Sequence, residues 1–190
     1  MRVAIVLAAG ASRRMGRPKL ELDLGGRSVV ERSVQNLLDA AVDRVRVVVA
    51  PGSAIAPSEK VEVIPNPVRD VGLSSSLKLG LARLPDETQV VLVALADKPL
   101  VKPETIVKLI EEFERGEARV VYPVYRGERG HPVLFAAALA AELSEVEGDR
   151  GARSVLEAHE DDARAVEVED AGVCFDIDTP EDYAAALDLL

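Results

Sequence analysis

Three short stretches of the chain are built almost entirely from apolar, mostly β-branched residues. They cover residues 3–9, 45–50 and 90–96, and none shows the alternation of polar and apolar positions that a half-exposed strand has. Runs of this length and composition are typical of strands buried on both faces of a parallel sheet. We therefore expect three central strands covered by helices.

The segments between these runs have the spacing of amphipathic helices. Ser28 and Glu31 form the pattern of a capping box in front of an apolar stripe, leucines recur from Leu73 to Leu84, and Pro103 stands at the start of a third stripe. Strands and helices thus alternate along the chain. This order predicts an α/β protein with one doubly wound, mostly parallel sheet that has helices on both faces.

The rhythm changes after about residue 118. Arg119–Tyr125 and Pro132–Phe135 flank the charged segment 126–130, which predicts a small β-hairpin with a charged tip. Short helices follow, and Thr179-Pro180 opens a last one. Because there is no internal repeat and no linker composition, we expect a single domain over residues 1–190.

Composition limits the possible partners. The 190 residues contain 33 acidic and 23 basic side chains, for a formal charge of −10, and such a field repels nucleic acids and anionic membranes. The apolar start of the chain, residues 3–9, is too short for a membrane span, and the single Cys174 has no partner for an internal disulfide. We expect a cytoplasmic protein that binds neither nucleic acid nor membrane.

Positive charge gathers in one loop of this acidic chain. The loop follows the first strand and contains Gly10, Gly16 and four basic residues, namely Arg13, Arg14, Arg17 and Lys19. Glycines let backbone N–H groups approach an anion, and ligands of open α/β sheets bind beyond the carboxyl ends of the strands. The loop contains neither G-x-G-x-x-G nor a Walker A motif. It favours a polyphosphate site, and the alternative is a solvated basic loop paired with surface acids.

Carboxylates stand at two places where they could hold a metal ion. Asp97 follows the third apolar run, and Asp176 and Asp178 precede the cap residue Thr179. Mg²⁺ prefers such hard oxygen ligands, often one or two carboxylates completed by phosphates and water. The alternative for Asp97 is a role in capping the turn before Pro103. From the residues alone, both Asp176 and Asp178 remain candidates.

Further polar groups suggest a nucleotide side and an acceptor side. Ser74, Ser75 and Ser76 lie at the start of the second helix, where they either present hydroxyls to a ligand or cap the helix. Arg150 and Arg153 either hold a phosphate or pair with neighbouring glutamates. His131 has no second histidine nearby, so a structural hydrogen bond is its default role.

The segment from Leu7 to Leu20 resembles the signature loop of the MobA-like nucleotidyltransferases, the family of the molybdenum cofactor guanylyl- and cytidylyltransferases. Later segments resemble the same family in the same order, namely 72–77, 93–100, 130–135 with 148–153, and 175–183. The resemblance implies a Rossmann-like nucleotidyltransferase fold, with nucleotide bound by residues 1–115 and acceptor by residues 116–175. The two alanines before Gly10 are similar to the cytidylyltransferase branch.

The resemblance also implies a role for individual residues. Arg13, Lys19 and Asp97 would be catalytic, and Asp97 and Asp178 would hold the metal. Nucleotide contacts would come from Leu7, Ala8, Ala9, Gly10, Ser12, Arg13, Lys19, Ser74, Ser75, Ser76 and Asp97. Acceptor contacts would come from His131, Asp149, Arg150 and Arg153. The chain departs from the family pattern at Ala96, where glycine is usual, and at Lys98, where glutamine or methionine is common.

By this resemblance the protein is a Mg²⁺-dependent enzyme that moves CMP from CTP to the phosphate of molybdenum-molybdopterin. The products would be pyrophosphate and molybdopterin cytosine dinucleotide, which an apo molybdenum hydroxylase would receive. The alternatives are another sugar- or alcohol-phosphate nucleotidyltransferase and a non-catalytic carrier or maturation factor for the molybdenum cofactor. A nicotinamide oxidoreductase is disfavoured because G-x-G-x-x-G is missing.

Overall fold

The computed structural model describes residues 1–10, 15–16, 18–68, 72–148 and 151–190. Within these residues the strands are β1 (Arg2–Ala8), β2 (Arg44–Val49), β3 (Val61–Pro65), β4 (Val90–Leu95), β5 (Val120–Tyr125), β6 (Glu128–Arg129), β7 (Val133–Ala136) and β8 (Ala163–Glu167). The α-helices are α1 (Val29–Asp39), α2 (Leu73–Leu81), α3 (Pro103–Glu114), α4 (Ala140–Glu145), α5 (Arg153–Ala158) and α6 (Pro180–Asp188). None of the described helices is long and apolar enough to cross a membrane.

The strands form one mixed, mostly parallel sheet in the order β3-β2-β1-β4-β7-β5-β6, with β8 paired to β5. The three apolar runs give β1, β2 and β4, which lie side by side in parallel register at the centre. β7 enters antiparallel between β4 and β5, while β8 runs parallel to β5. The predicted fold class is confirmed.

Helices cover both faces of the sheet, as the alternation predicts. On one face the apolar stripe of α1 packs on β1 and β2 and that of α3 on β5 and β7, with Val34, Leu37 and Leu109 buried there. On the other face α2, α4 and α5 bury Leu77 and Leu143. The central strands are therefore covered on both sides, which is why they read as continuous apolar runs.

One residue interrupts these runs and has a structural task. Arg46 lies on β2 but is buried, and its guanidinium lies 2.8 Å from a carboxylate oxygen of Glu62 on β3. It also donates to the carbonyl oxygens of Gly80 and Ala82, each at 2.6 Å. Arg46 thus satisfies the open end of α2, where helix carbonyls lack partners within the helix.

The predicted hairpin forms, but its tip is shorter than expected. β5 turns into β6 at Arg126-Gly127, where both residues have positive φ as in a two-residue turn. The return arm is then interrupted around Gly130 and continues as β7. A side chain at Gly130 would lie 2.6 Å from Val173, so a close approach of backbone to the segment at 173 breaks the arm there.

Candidate active site

The loops after β1 and β4 meet at one edge of the sheet. The two strands are parallel and adjacent, with Leu7 opposite Leu95, and the N–H of Ala96 donates to the carbonyl of Leu7 at 3.2 Å. The chain that follows β1 returns to this edge at a 3-10 turn, Lys19–Glu21, while the loop after β4 begins with Asp97. Lys19 and Asp97 are therefore brought together, as open α/β sheets do with the residues that follow their strands.

The ammonium group of Lys19 bridges two carboxylates. Its Nζ lies 2.8 Å from Oδ2 of Asp97 and 2.7 Å from Oδ1 of Asp178. The lysine side chain is only 11% exposed, against 24% and 34% for the two aspartates. Burial alone would lower the pKa of Lys19, but the two carboxylates outweigh it and the pKa lies above its ordinary value. A fixed cation thus stands between two acids at the ligand-binding edge.

The segment that carries Asp178 is fastened to the loop that carries Asp97. The N–H of Ile177 donates to the carbonyl of Asp97 at 2.9 Å. Further back, the buried Asp170 accepts from the N–H of Lys102 at 2.9 Å, from the hydroxyl of Thr105 at 2.8 Å and from the N–H of Gly172 at 2.9 Å. Backbone hydrogen bonds and one buried carboxylate therefore set the distance between the two site aspartates.

The start of α6 fixes the backbone of Asp178 itself. Oδ2 of Asp182 accepts from the N–H groups of Asp178, at 3.0 Å, and Thr179, at 2.8 Å, while the Thr179 hydroxyl accepts from the N–H of Asp182. The pKa of Asp182 lies below its usual range, first because its carboxylate interacts with the Thr179 side chain and then because of these two backbone N–H groups. The predicted helix cap is thus formed by Thr179 and Asp182. The carboxylate of Asp178 takes no part in the cap and contacts Lys19.

Two residues of α1 hold the Asp97 loop from the opposite side. The Ser33 hydroxyl donates to the carbonyl of Ala96 at 2.8 Å, and Nδ2 of Asn36 donates to the carbonyls of Pro99, at 2.9 Å, and Val101, at 2.8 Å. Sequence reasoning did not single out Ser33, Asn36 or the Asp170 described above. For Ser33 and Asn36 the signal was a polar residue within the apolar pattern of a predicted helix, and for Asp170 there was none.

A second lysine, Lys98, pairs with the third acid of this edge. Its Nζ lies 2.9 Å from Oδ1 of Asp176, and its side chain is 7% exposed. Burial raises the pKa of Asp176 above its ordinary value, although the contact with Lys98 opposes this. The two aspartates that the sequence left as alternatives thus have different partners: Asp178 contacts Lys19, and Asp176 contacts Lys98.

A pocket of about 590 Å³ lies next to this edge, on the face covered by α2 and α5. Its wall is mostly apolar and aromatic, formed by Leu7, Leu73, Val93, Leu95, Tyr122, Val133, Phe135 and Leu156. Polar groups at its boundary come from Glu128, Arg129, His131 and Arg153. The size and the few convergent polar groups suit a small-molecule ligand.

The charged residues of this pocket have definite partners. The guanidinium of Arg129 lies 5.2 Å from the ring centre of Tyr122 and 2.8 Å from a carboxylate oxygen of Glu160. Arg153 lines the pocket and also pairs with Glu157 at 2.9 Å. Burial, with the charge of Lys98, lowers the pKa of His131 to about 4, so its ring is neutral near pH 7. Neither Arg129 nor Tyr122 was predicted as a site residue.

The three consecutive serines at the start of α2 do not share one exposed surface. Ser74 and Ser76 are buried, and the buried Asn66 donates from Nδ2 to the hydroxyls of Ser75 and Ser76, each at 3.0 Å. Successive helix residues point about 100° apart, so a run of three polar residues faces both inward and outward. Their predicted contact with a nucleotide stays a prediction.

Several predicted site residues lie outside the described part of the chain. These are Ser12 and Arg13 of the basic loop, with Arg14 and Arg17, and Asp149 and Arg150 on the acceptor side. Of the remaining predicted loop residues, Leu7, Ala8 and Ala9 are buried at or just beyond the end of β1, and Gly10 is exposed. Their predicted contacts with the nucleotide stay predictions.

The donor set at the sheet edge fits a divalent cation. Oxygens of Asp97 and Asp178 both contact one ammonium group, so the two carboxylates lie close enough to serve one cation. Among the described residues no group of three or more His, Cys, Asp or Glu side chains has the arrangement of a metal site. Mg²⁺ accepts one or two carboxylates if phosphates and water complete its shell.

The fold and this edge together define a nucleotidyltransferase. The chain belongs to the family of MobA-like NTP transferase domains, which matches residues 4–163. A solved nucleotidyl transferase from Methanothermobacter thermautotroptrophicus has a TM-score of 0.80 and 27% identity, over 100% of this chain and 97% of that one.

Proteins that are similar to this chain in sequence carry different names. The 2-C-methyl-D-erythritol 4-phosphate cytidylyltransferase of Rhodococcus jostii is 38% identical over 76% of this chain and 66% of its own length. The nicotine blue oxidoreductase of Paenarthrobacter nicotinovorans is 30% identical over 93% and 92%. The molybdenum cofactor cytidylyltransferase of Escherichia coli is 26% identical over 96% and 93%. The family is therefore established, and the acceptor is a matter for proposal.

Proposed function

We propose that the protein transfers CMP from CTP to the phosphate of molybdenum-molybdopterin, releasing pyrophosphate and forming molybdopterin cytosine dinucleotide. The observation that carries this is the position of Lys19 between Asp97 and Asp178, beside a pocket of about 590 Å³. The similarity to a molybdenum cofactor cytidylyltransferase over nearly the whole chain, and Ala8-Ala9-Gly10 in the loop, support the donor and the acceptor. An apo molybdenum hydroxylase would receive the product.

The chemistry asks the protein to bring two anions together. A phosphate oxygen of the acceptor attacks the α-phosphorus of CTP, the bond to the β-phosphate oxygen breaks, and pyrophosphate leaves. No covalent enzyme intermediate is needed, because the attacking group is already an anion. Positioning and charge neutralisation supply the rate enhancement in such reactions.

Lys19 and the two aspartates would divide these tasks. Asp97 and Asp178 would hold Mg²⁺, which when bound neutralises charge on the phosphates. Lys19 carries its proton firmly because its pKa is raised, so it remains a cation through the reaction and would bind the triphosphate and the leaving pyrophosphate. Arg13, outside the described residues, would add a second cation from the same loop.

The acceptor would lie in the pocket between β4, β5 and α5. Its aromatic and apolar wall, with Tyr122 and Phe135, suits a flat ring system better than a small polyhydroxy chain. Arg129 and Arg153 provide positive charge near the pocket for polar parts of that acceptor. His131 presents a neutral ring there and adds no charge.

An alcohol phosphate is the second candidate acceptor. The 38% identity to a 2-C-methyl-D-erythritol 4-phosphate cytidylyltransferase favours it, and both relatives named here as cytidylyltransferases support CTP as the donor. The similarity to a nicotine blue oxidoreductase is as extensive along the chain. The ammonium between two carboxylates, however, is an arrangement for phosphate and metal charge rather than for hydride transfer.

Pyrophosphate release measures this directly. The purified protein is given Mg²⁺ and CTP, GTP or ATP, each with molybdenum-molybdopterin, with 2-C-methyl-D-erythritol 4-phosphate, or without acceptor. We expect release only with CTP and the pterin. Release with CTP and the alcohol phosphate would show that the acceptor is the alcohol phosphate, and release with GTP would show that the donor is GTP. No pyrophosphate release in any combination would overturn the proposal.

A further inference from the structure

Three carboxylates converge on the sheet edge, yet they are not equivalent. Asp97 and Asp178 share the ammonium of Lys19, whereas Asp176 contacts Lys98. The charges of Asp97 and Asp178 both act on Asp176, so all three acids lie within electrostatic range of one another. Asp176 and Asp178 are separated only by Ile177, whose side chain is fully buried and whose N–H is bonded to Asp97.

Lys98 forms an ion pair with one of these three acids. Its side chain is 7% exposed and lines a small cavity together with Ser33, Asn36 and His131. A buried ammonium needs a counter-charge, because desolvation of an unpaired ion is costly. The acid that meets it at 2.9 Å is Asp176. The ion pair with Lys98 therefore occupies the Asp176 carboxylate, which would otherwise lie next to Asp97 and Asp178, the two acids proposed to bind the metal.

We propose that Lys98 is a positioning residue that withholds Asp176 from the metal, so that Asp97 and Asp178 alone provide carboxylate ligands. The inference rests on the proposed function, because it concerns the cation of that same site. A site with two carboxylates binds a free divalent cation more weakly than one with three, since affinity follows the charge of the ligands. Such a two-carboxylate site would rely on oxygens of the nucleotide phosphates to complete the metal's ligands.

Binding of Mn²⁺ in the presence of CTP, without acceptor, tests this inference independently of turnover. Mn²⁺ is titrated by electron paramagnetic resonance, and water proton relaxation counts the water molecules on the bound ion. The proteins compared are the natural chain, Asp178→Asn, Lys98→Met, the pair-deleted Lys98→Met/Asp176→Asn, and Lys102→Met as a control. Lys102 is an exposed lysine on the same loop, so its variant removes the same charge without releasing Asp176.

The variants have distinct expected results. Asp178→Asn weakens Mn²⁺ binding by about tenfold or more, because it removes a ligand. Lys98→Met tightens it by roughly tenfold and removes one water from the ion, because the freed Asp176 becomes a third carboxylate. The pair-deleted variant keeps the natural affinity within about twofold and the natural number of waters, as expected if Asp176 contributes no ligand. Lys102→Met changes neither quantity.

A loss of Mn²⁺ affinity in the pair-deleted variant equal to that in Asp178→Asn would overturn the inference, because Asp176 would then be a ligand. So would Lys98→Met with an unchanged number of waters. If Lys98→Met fails to fold, the comparison of the pair-deleted variant with Asp178→Asn still tests the inference. The pair-deleted variant is expected to fold, because it removes both charges of the buried ion pair. If the natural chain does not bind Mn²⁺, the metal site of the proposed function and this inference are both overturned. This result differs from the two outcomes above, which overturn the inference alone.

Discussion

The N–H of Ile177 donates to the backbone carbonyl of Asp97 at 2.9 Å. This bond joins two segments that are far apart in the sequence and places the peptide next to Asp178 against the loop after β4. The geometry of the two site carboxylates is therefore set by the backbone. It follows that either carboxylate can be neutralised without separating the segments, and that activity and stability can be tested separately.

Neutralising Asp97 should abolish turnover and preserve the fold. In Asp97→Asn the backbone bond to Ile177 remains, while the proposed metal loses a ligand and Lys19 loses one ion pair. We expect pyrophosphate release to fall by about a hundredfold or more, the usual effect of removing one charge-stabilising group. Thermal unfolding should change little. Asp86→Asn, at an exposed position, is the control, and full activity in a folded Asp97→Asn protein would contradict the assignment.

Replacing Lys19 by methionine should remove the cation from between the two acids. The side chain keeps its length and its apolar stem, but Asp97 and Asp178 lose the ammonium group that lies between them. We expect kcat/KM for CTP to fall on the order of a hundredfold. Lys102→Met, which removes an exposed charge, should leave kcat/KM unchanged. Natural turnover in Lys19→Met would remove this lysine from the proposed mechanism.

Local signals in the sequence predicted much of the fold and the meeting of two loops at the candidate site. The capping boxes at Ser28 and Thr179 form as expected, because the residues of a cap are close in sequence. The loops that carry Lys19 and Asp97 could be predicted to meet, since parallel strands end at one edge. The partners of Asp176 and Asp178 could not, because each choice depends on contacts between distant segments.

The same reasoning explains what was missed at Ser33, Asn36 and Asp170. Each holds backbone groups of another segment through a side chain that follows no periodic pattern. The sequence also gives no signal for a close backbone contact at a glycine. At Gly172 an added Cβ would clash with the carbonyl oxygen of Leu100, and that backbone atom has little freedom to move.

Gly172→Ala should therefore destabilise the protein strongly. The clash with Leu100 would push the segment that bears Asp178 away from the loop that bears Asp97, so we expect a loss of about 3 kcal/mol or more in the free energy of unfolding. Urea denaturation measures it. Gly10→Ala is the matched control, because a Cβ there meets nothing within 4 Å among the residues that the structure describes. Equal stability of the two variants would show that the segment can move aside without cost.

Filling the pocket should weaken the acceptor without affecting the nucleotide. Ala152 lines the pocket where α5 begins, and a phenylalanine there would occupy part of the space assigned to the acceptor. We expect the KM for the acceptor to rise by about tenfold, a cost of about 1.4 kcal/mol, with the KM for CTP unchanged. Ala158→Phe, at an exposed position near the end of the same helix, should change neither constant. An equal rise in both constants would place the nucleotide, not the acceptor, in this pocket.

His131 should make the protein less stable in weak acid. Burial, with the charge of Lys98, lowers its pKa to about 4 in the folded protein, against about 6.5 in the unfolded chain. Between these values the unfolded chain binds more protons, so the contribution of this residue to stability is present above pH 6.5 and is lost progressively as the pH falls towards 4. The full effect is on the order of 3 kcal/mol.

His131→Gln should remove most of that dependence, because glutamine does not titrate. We would compare urea midpoints at pH 7.5 and pH 5.5, a range above the usual pKa of carboxylates. The chain has two histidines, and the second, His159, lies 2.7 Å from a carboxylate oxygen of Glu142 on the protein surface. His159→Gln is thus the matched control and should retain the loss of stability in acid. If His131→Gln loses as much stability as the natural protein over this range, His131 is not the group that is held neutral beside the pocket.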